Sequence, residues 1–352
     1  MGAGGQRRGA RGPLRGTARR ARVVSSDLRG IRWALLVLAV LVVASLLFGS
    51  RPLAPTDVVA ALFRDNGDAH TIVVEQRIPR TVLGLLVGLA LGLSGALMQG
   101  MTRNPLADPG LLGVSAGAAF AVVLGTILAP GASGAAMVWF SFVGAGLTTA
   151  AVYVIGSLGG RGRSPATLVL TGMAIGAVLA GLTQLLVLFN ERAFIAARAF
   201  YAGSLQGTDW ALIGQVAPFL VVGTAVAAFA ARGLNAVALG DDVAAALGVR
   251  PWAVRVLSVV GVTVLCGAAT AAVGAVWFVG LMVPHVARWI TGPDQRRILA
   301  WSAALGALLM VGADVVGRVV VIPDEVPAGV VTAMLGAPVL IALVRRRTAS
   351  PV

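Results

Sequence analysis

Long stretches of apolar residues recur along the chain from residue 33 almost to its C-terminus, separated by short polar segments. A helix needs about 20 apolar residues to cross the hydrocarbon core of a bilayer. About ten stretches approach this length, and several are shortened or interrupted by glycine and proline. The pattern predicts an all-α polytopic membrane protein with about ten transmembrane helices, near residues 33–48, 82–101, 111–129, 137–158, 167–189, 210–231, 254–272, 276–290, 298–320 and 329–344.

The amino-acid composition supports this membrane assignment. Of the 352 residues, 58% are hydrophobic and only 12% are charged, against roughly 25% charged in an ordinary globular domain. Too few polar residues are left to cover the surface of a soluble protein. The formal net charge of +14 is typical of nucleic-acid binding. The arginines, however, lie in the head, in short loops and at the C-terminus, without an aromatic-interleaved basic face, so no nucleic-acid partner is expected.

The distribution of basic residues predicts how the chain is oriented. All 28 basic residues are arginine, and nine of them precede residue 33. With a cytoplasmic head and ten helices, both termini are cytoplasmic, and the cytoplasmic segments hold 21 arginines against seven outside, as the positive-inside rule requires. We divide the chain into a disordered basic cytoplasmic head (residues 1–30), a single transmembrane permease domain (31–347) and a cytoplasmic tail (348–352).

Two serine motifs resemble those of hydrolases. Residues 113–117 fit the nucleophile-elbow pattern, and Ser94 lies in a Gly-x-Ser-Gly sequence like that of intramembrane serine proteases. The first pattern needs a strand, a turn and a helix in a soluble sheet. The second needs a histidine base, and the chain has only His70 and His285. Small-residue packing is the favoured role for both serines, and no catalytic residue is assigned.

The energy source for transport is also constrained by the residues present. A P-loop requires a lysine that reaches the phosphates, and this chain has no lysine, so any ATPase must be another polypeptide. An ion-coupled secondary transporter is the rival class, but charged residues within the apolar stretches are scarce. The single cysteine, Cys266, and the two histidines have no metal-site spacing, so no metal or cofactor is expected in this chain.

Small residues recur at helical spacing in two of the predicted helices. Gly84, Gly88 and Gly92 form one such set, and residues 172, 176 and 180 form another. Small side chains allow helix backbones to approach closely in lipid, where no hydrophobic force acts between helices. The two sets can serve packing within the chain or an interface with a second pore subunit.

Several motifs along the chain are more specific than its composition. The first half contains RIPRT at residues 77–81, GALMQ at 95–99 and RNPLADPGLLGV at 103–114, and the second half contains GLMVPHVAR at 280–288, Ala313 and Asp314, and related segments at 326–333 and 336–338. Together they resemble the signature of the FecCD family, the permeases of importers for iron siderophores, haem and vitamin B12. Residues 264–267, 317–320 and 338–341 with the arginine-rich tail are most similar to the ferric-enterobactin permease type. The resemblance covers nearly everything after residue 52.

This resemblance implies an architecture and a set of partners. The fold would be that of the vitamin B12 permease, and the expected partners are a second permease subunit, homologous or identical, two cytoplasmic ATPase subunits and an external siderophore-binding protein. ATP and Mg²⁺ would be bound by the ATPase. The implied function is import of a ferric siderophore across the bacterial cytoplasmic membrane, and a haem or cobalamin importer is the closest alternative.

Four groups of functional residues also follow from the resemblance. Arginines would dock the binding protein, although Arg77 and Arg80 can simply extend to the interface and Arg318 can pair with Asp314 on one helical face. The loop at residues 239–250 would couple to the ATPase and is predicted to contain a short helix, because acidic residues favour a helix N-terminus and glycine ends a helix. The groups are Arg77, Arg80 and Arg318 for docking; Gly240, Asp241, Asp242, Ala246, Leu247 and Gly248 for coupling; Asn104, Pro105, Leu106, Ser164 and Pro165 for the cytoplasmic gate; and Thr171, Met173 and Thr332 for the pathway lining.

Overall fold

The computed structural model describes residues 14–65, 67–157 and 165–348, and this part of the chain is almost entirely helical. A π-helical segment, Thr71–Arg77, lies within the third helix, and a short 3₁₀ helix, Pro109–Leu112, precedes the fourth. The helices are α1 (Leu14–Leu47), α2 (Pro55–Phe63), α3 (Asp68–Thr102), α4 (Val114–Leu128), α5 (Gly134–Ser157), α6 (Pro165–Phe189), α7 (Glu191–Ala202), α8 (Trp210–Val237), α9 (Asp241–Ala246), α10 (Pro251–Val273), α11 (Val279–Thr291), α12 (Gln295–Val319) and α13 (Ala328–Thr348).

Each of the ten predicted spans corresponds to a helix, so the predicted fold class is confirmed. Six helices are long and apolar enough to cross a bilayer by length and composition: α3, α5, α6, α8, α10 and α12. Shorter apolar helices occur at Arg32–Leu47 within α1, at Val114–Leu128 and at Ala328–Ala342 within α13. The helix that corresponds to the predicted span at residues 276–290 is α11, which has 13 residues and contains Pro284.

The structure differs from the sequence prediction at several places, among them the short unpredicted helix α2. Residues 14–30, predicted as part of a disordered head, continue α1 as helix, since arginine and alanine are good helix formers; residues 1–13 lie outside the described residues. The helix predicted to begin at residue 82 already begins at Asp68. An unpredicted amphipathic helix, α7, follows α6 after Asn190, whose side chain accepts a hydrogen bond from the Ala193 amide (3.0 Å).

Helix boundaries follow local sequence signals. Asp209 begins α8 by accepting a hydrogen bond from the Leu212 amide at 2.8 Å, as an N-cap residue does. Proline stands in the first turn of α10, where its missing N–H costs nothing. Gly274 and Gly292 end α10 and α11 with positive φ angles of 80° and 77°, which glycine adopts without strain.

Helix α3 is the centre of the bundle and is buried along most of its length. Gly88 contacts the backbone of Gly306 in α12, and Gly92 contacts the carbonyl of Ser302 in the same helix. Gly95 meets the backbone of Gly280 in α11. A Cβ atom at any of these three glycines would overlap the facing backbone, so the glycine spacing serves packing within the chain.

Part of the second small-residue set packs within the chain. Gly172 in α6 contacts the carbonyl of Leu111 in the 3₁₀ segment, and Gly176 faces Ala116 in α4. These contacts hold α6 against the segment that follows α3. The third member of the set, Ala180, is exposed in the single chain.

The long helices alternate in direction across the bundle. Gly84 of α3 lies beside Val311 of α12, whereas Gly92 lies beside Ser302, so these two helices are antiparallel. We call the end that carries Arg77, Arg80 and Arg318 the Arg80 end. We call the opposite end, which carries Asp241 and the C-terminal end of α3, the Asp241 end.

We predict that Gly92→Ala destabilises the protein. The added methyl group meets the Ser302 carbonyl, and overpacking of this kind typically costs about 1–3 kcal/mol. Thermal unfolding of the detergent-solubilised protein measures the effect. The matched control is Gly214→Ala in α8, because a Cβ there meets no atom of the described residues within 4 Å. Equal melting temperatures for the two variants would contradict the close-contact account.

Candidate functional site

At the Arg80 end, Arg80 joins two acidic residues that are distant in sequence. Its Nη2 and Nε donate to Asp314 Oδ1 in α12 at 2.7 and 3.0 Å, and its Nη1 donates to Glu325 Oε2 at 2.7 Å. The Arg80 side chain is 12% exposed and Asp314 is 2% exposed. Bidentate contact between a guanidinium and a carboxylate fixes the geometry of both groups. The cluster therefore holds α3, α12 and the loop after α12 in one arrangement.

Arg318 completes this cluster from within α12. Its Nη2 lies 2.7 Å from Asp314 Oδ2, one helical turn away. It also donates to the Ser45 hydroxyl at 2.6 Å and to the Ser45 carbonyl at 3.0 Å in α1. Arg318 is 2% exposed, so the intrahelical pair is what the structure shows, and the guanidinium is directed into the bundle.

Arg77 lies in the π-helical segment and binds the C-terminal end of α1. It donates to the carbonyl oxygens of Leu46 (2.6 Å), Leu47 (3.0 Å) and Arg51 (2.6 Å). The last carbonyls of a helix have no partner within the helix, and a basic side chain can satisfy them. Arg77 is buried and stabilises the entry from α1 into the loop.

A cavity of about 440 Å³ adjoins the cluster, and Arg77, Arg80, Arg318 and Glu325 all contribute to its wall. Glu325 accepts further hydrogen bonds from Ser50 at 2.6 Å and Gln206 at 3.1 Å. Burial of Glu325 would raise its pKa, but the hydrogen bonds from Ser50 and Arg80 and the charge of Arg80 outweigh it, so this pKa lies below its ordinary value. Three arginines against two carboxylates leave the cluster with a net positive charge.

At the Asp241 end, the predicted short helix is present as α9. Gly240 precedes it with φ 114°, and Gly248 follows it with φ 78°. The sequence predicted the acidic residues of its first turn and the glycine at its C-terminal end. Asp241 in its first turn accepts hydrogen bonds from Arg103 and from Arg255 Nη2 (2.6 Å). Burial would raise the pKa of Asp241, but Arg255 and Arg103 outweigh it and hold the pKa below its ordinary value.

Most of α9 faces away from the bundle. Ala244 is the buried residue of this helix, whereas Asp242 and Ala246 are exposed. Val243 and Leu247 are four residues apart on one helical face and are 46% and 62% exposed. Leu239, which is 64% exposed, precedes the helix and is separated from it by Gly240. Apolar side chains are therefore exposed on α9 and just before it.

The predicted gate residues lie in the turn that follows α3. Helix α3 ends at Arg103, whose φ of 52° is left-handed, a conformation that usually requires glycine and costs about 1 kcal/mol or more for another residue. The Asn104 side chain then accepts the Leu106 amide at 3.0 Å, and Pro105 lies between them. Of the second gate segment, Pro165 begins α6, and Ser164 lies outside the described residues.

The three predicted lining residues differ in how exposed they are in the structure. Met173 in α6 is 55% exposed and Thr171 is partly exposed on the same helix, most of which faces outward. Thr332 is fully buried in α13 and donates to the Gly329 carbonyl at 2.9 Å. It therefore packs within the chain, and its assignment to the pathway lining is corrected.

The two hydrolase-like serine motifs both lie in helical segments of the bundle. Ser94 is fully buried, and its hydroxyl donates to the Leu91 carbonyl of the same helix at 2.9 Å. Residues 113–117 open helix α4, with Gly113 in a left-handed conformation before it. Neither arrangement is the strand–turn–helix that a nucleophile elbow needs.

Sequence reasoning missed several residues of the two clusters. Glu325 bonds to Ser50, which is 275 residues away, and Arg103 bonds to Asp241, which is 138 residues away. Ser45 and Arg255 complete the two clusters in the same way. The available signals were Asp314 and Arg318 at helical spacing and the run of charged residues around Asp241, but neither identifies the distant partners.

In the part of the chain that the structure describes, long apolar helices with apolar side chains exposed along their sides and charged clusters at their ends define a polytopic membrane protein. The sequence matches the FecCD transport family over residues 36–346. The chain belongs to that family.

Curated relatives span almost the same length. The chain is 45% identical over 316 residues to the ferric enterobactin transport system permease protein of Escherichia coli, which covers 89% of this chain and 94% of that protein. It is 39% identical over 285 residues to the iron(3+)-hydroxamate import system permease protein of Bacillus subtilis (81% and 74%). It is 38% identical over 283 residues to the cobalamin import system permease protein of Halobacterium salinarum (79% and 74%).

Among solved structures, the chain resembles a metal-chelate type ABC transporter in an inward-facing conformation. The TM-score is 0.80 at 26% sequence identity, and the match covers 90% of this chain and 99% of the other. The fold is therefore that of an ABC importer permease, and the relatives named above are transport subunits.

We predict that Asp314→Asn lowers stability strongly. The substitution leaves Arg318 buried without its carboxylate, and breaking a buried pair costs about 3–5 kcal/mol. The matched control is Asp324→Asn, because Asp324 is exposed in the loop that also carries Glu325. Thermal unfolding of both purified variants in detergent should show a clear loss for Asp314→Asn alone. A loss no larger than that of the control would mean that the cluster does not hold these helices together.

Proposed function

We propose that this chain is the transmembrane permease subunit of an ATP-driven, binding-protein-dependent importer that moves a ferric siderophore across the bacterial cytoplasmic membrane. The observation that carries the proposal is the 45% identity to the ferric enterobactin permease over 89% of the chain. The match over residues 36–346 supports it, because the similarity is not confined to one motif.

The proposed orientation places the Asp241 end in the cytoplasm and the Arg80 end outside. The arginine-rich segments before residue 33 and at the end of α13 then lie inside with both termini, as the positive-inside rule favours. The charged loops around Asp241 are also cytoplasmic. The cluster of Arg77, Arg80 and Arg318 faces the compartment from which substrate arrives.

The proposed partners follow from this orientation. A second permease subunit, homologous or identical, completes the pore, two ATPase subunits bind at the cytoplasmic face, and an external siderophore-binding protein delivers the substrate. ATP and Mg²⁺ are bound by the ATPase, since this chain has no lysine for a P-loop. The chain itself catalyses no reaction.

Docking of the binding protein is proposed at the Arg80 end. Arg80 reaches the wall of the 440 Å³ cavity together with Arg77 and Arg318, and the cluster has more positive than negative groups. Acidic residues of a binding protein would be steered to such a surface, and charged contacts set the register more than they add affinity. Arg77 and Arg318 are buried here, so Arg80 is the best placed of the three for a direct contact.

Coupling to the ATPase is proposed through α9. The exposed side chains of Val243 and Leu247, with Leu239 just before the helix, offer apolar surface at the Asp241 end. Asp242 lies beside them, and Gly240 and Gly248 stand on the two sides of the helix. An apolar helix face that fits a groove is a common mode of recognition between proteins. ATP binding would move the ATPase subunits together and displace this helix.

The gate and the pathway are proposed at the cytoplasmic mouth and along α6. Asn104, Pro105 and Leu106 form the turn after α3. Ser164 precedes α6 in the sequence, and Pro165 begins that helix. Thr171 and Met173 lie on α6, most of which is exposed in this single chain. Alternating access would open this path first to the docked binding protein and then to the cytoplasm, and hydrolysis would reset it.

Cobalamin is the second candidate substrate. The 38% identity to the cobalamin import permease of Halobacterium salinarum favours it, although that match covers less of this chain than the enterobactin match does. A haem importer remains the further alternative within the family. The rival classes, a secondary transporter and an intramembrane protease, have no similar support.

We predict that the chain restores uptake of radiolabelled iron presented as ferric enterobactin. The assay uses bacteria that lack their own permeases for ferric enterobactin and cobalamin and express this chain with its partner subunits. Labelled cobalamin is the matched control substrate and should not accumulate above the empty-vector level. Uptake of cobalamin without uptake of the ferric siderophore would contradict the proposed substrate.

A further inference from the structure

The Asp241 carboxylate is shared between two helices of the bundle. One oxygen, Oδ1, accepts a hydrogen bond from Arg103 at the end of α3, and the other, Oδ2, accepts from Arg255 in α10 at 2.6 Å. Arg255 is mostly buried, whereas Arg103 and Asp241 are about two-fifths exposed. Exposed ion pairs contribute little to stability. This contact therefore does more to set the position of α9 than to stabilise the fold.

Arg103 occupies a backbone position that favours glycine. Its φ of 52° and ψ of 25° end α3 in a left-handed turn, and no steric reason requires a long side chain there. Strained positions of this kind persist where the surrounding structure uses them. The side chain of Arg103 is directed to Asp241, so the strained residue forms a contact that glycine could not make.

The residues after Arg103 form the proposed gate. The Asn104 amide lies 3.4 Å from the Thr102 hydroxyl, and the Asn104 side chain accepts the Leu106 amide at 3.0 Å. Local side-chain bonds of this type fix the shape of a turn. A displacement of Arg103 would therefore be passed to the whole turn, up to Leu106.

Helix α9 can move as a unit because few of its side chains are held by the bundle. Ala244 is the buried residue of this helix, whereas the apolar side chains of Val243 and Leu247 are exposed. Glycines with positive φ stand on both sides, at residues 240 and 248. Asp241 is the charged residue of α9 for which the structure records ion pairs with the bundle.

We propose that Arg103 is a positioning residue that transmits movement of α9 to the gate turn through Asp241. This inference rests on the proposed function, in which α9 contacts the ATPase and residues 104–106 gate the pathway. When α9 is displaced by the ATPase, the Arg103–Asp241 contact draws the end of α3 with it. Arg255 holds the other carboxylate oxygen and keeps Asp241 oriented towards Arg103.

The decisive variant is Arg103→Gly, because glycine suits the left-handed backbone and removes the contact with Asp241. In the complete transporter in proteoliposomes, the melting temperature should be unchanged or higher. The number of substrate molecules imported per ATP hydrolysed should fall about fivefold or more, the range typical of coupling between sites. The control is Arg296→Ala, which removes an arginine at the same end of the bundle outside both clusters, and it should keep the wild-type ratio.

Two further variants and a double-mutant cycle test the same contact. Arg103→Lys retains the charge and should retain part of the coupling, and Arg103→Asn also tolerates the left-handed backbone if the glycine variant fails to accumulate. In a double-mutant cycle, Arg103→Gly combined with Asp241→Asn should be no worse than Asp241→Asn alone, because Asp241→Asn already disrupts the ion pair between Arg103 and Asp241. Additive losses, or an unchanged import-to-ATP ratio in Arg103→Gly, would overturn the proposal.

Failure of the inference can be told from failure of the proposed function. If the wild-type transporter shows no ATP-dependent import, the proposed function is wrong and the link has nothing to transmit. If the wild type is coupled and Arg103→Gly is coupled equally well, only the role of Arg103 is wrong.

Discussion

Close contact between helix backbones is the constraint on which this structure depends. Helices in lipid are not driven together by the hydrophobic effect, so their association relies on packing and polar contacts. Gly88, Gly92 and Gly95 bring the backbone of α3 against α12 and α11 without intervening side chains. The central position of α3, and with it the placement of both charged clusters, follows from these contacts.

Because α3 runs through the bundle, it connects the two clusters directly. The segment Ile78–Thr102 has 25 residues and is about 37 Å long at 1.5 Å per residue. It carries Arg80 near one end and is followed by Arg103 at the other. A change in the cluster around Arg80 and a change at α9 would therefore act on the same helix. In the proposed function, this arrangement gives alternating access a physical route between the external binding protein and the cytoplasmic ATPase.

The sequence predicts the repeated features of this protein better than its single contacts. Apolar runs of membrane length predict ten helices, and the acidic pair at residues 241–242 with Gly248 predicts α9, because each signal is local. Helix α7 escapes prediction because charged residues interrupt its apolar pattern. The partners of Glu325 and Arg103 lie more than a hundred residues away, and the burial of Thr332 depends on neighbouring helices. No local pattern contains that information, so these features require the folded chain.

The central claim is that this subunit is a conduit whose energy comes from a separate ATPase. The most direct measurement is import of radiolabelled ferric siderophore into proteoliposomes that contain this chain, its second permease subunit and its ATPase, with the binding protein outside and ATP inside. The account predicts import with hydrolysable ATP and none with a proton or sodium gradient alone. Import driven by an ion gradient without the ATPase subunits would contradict it.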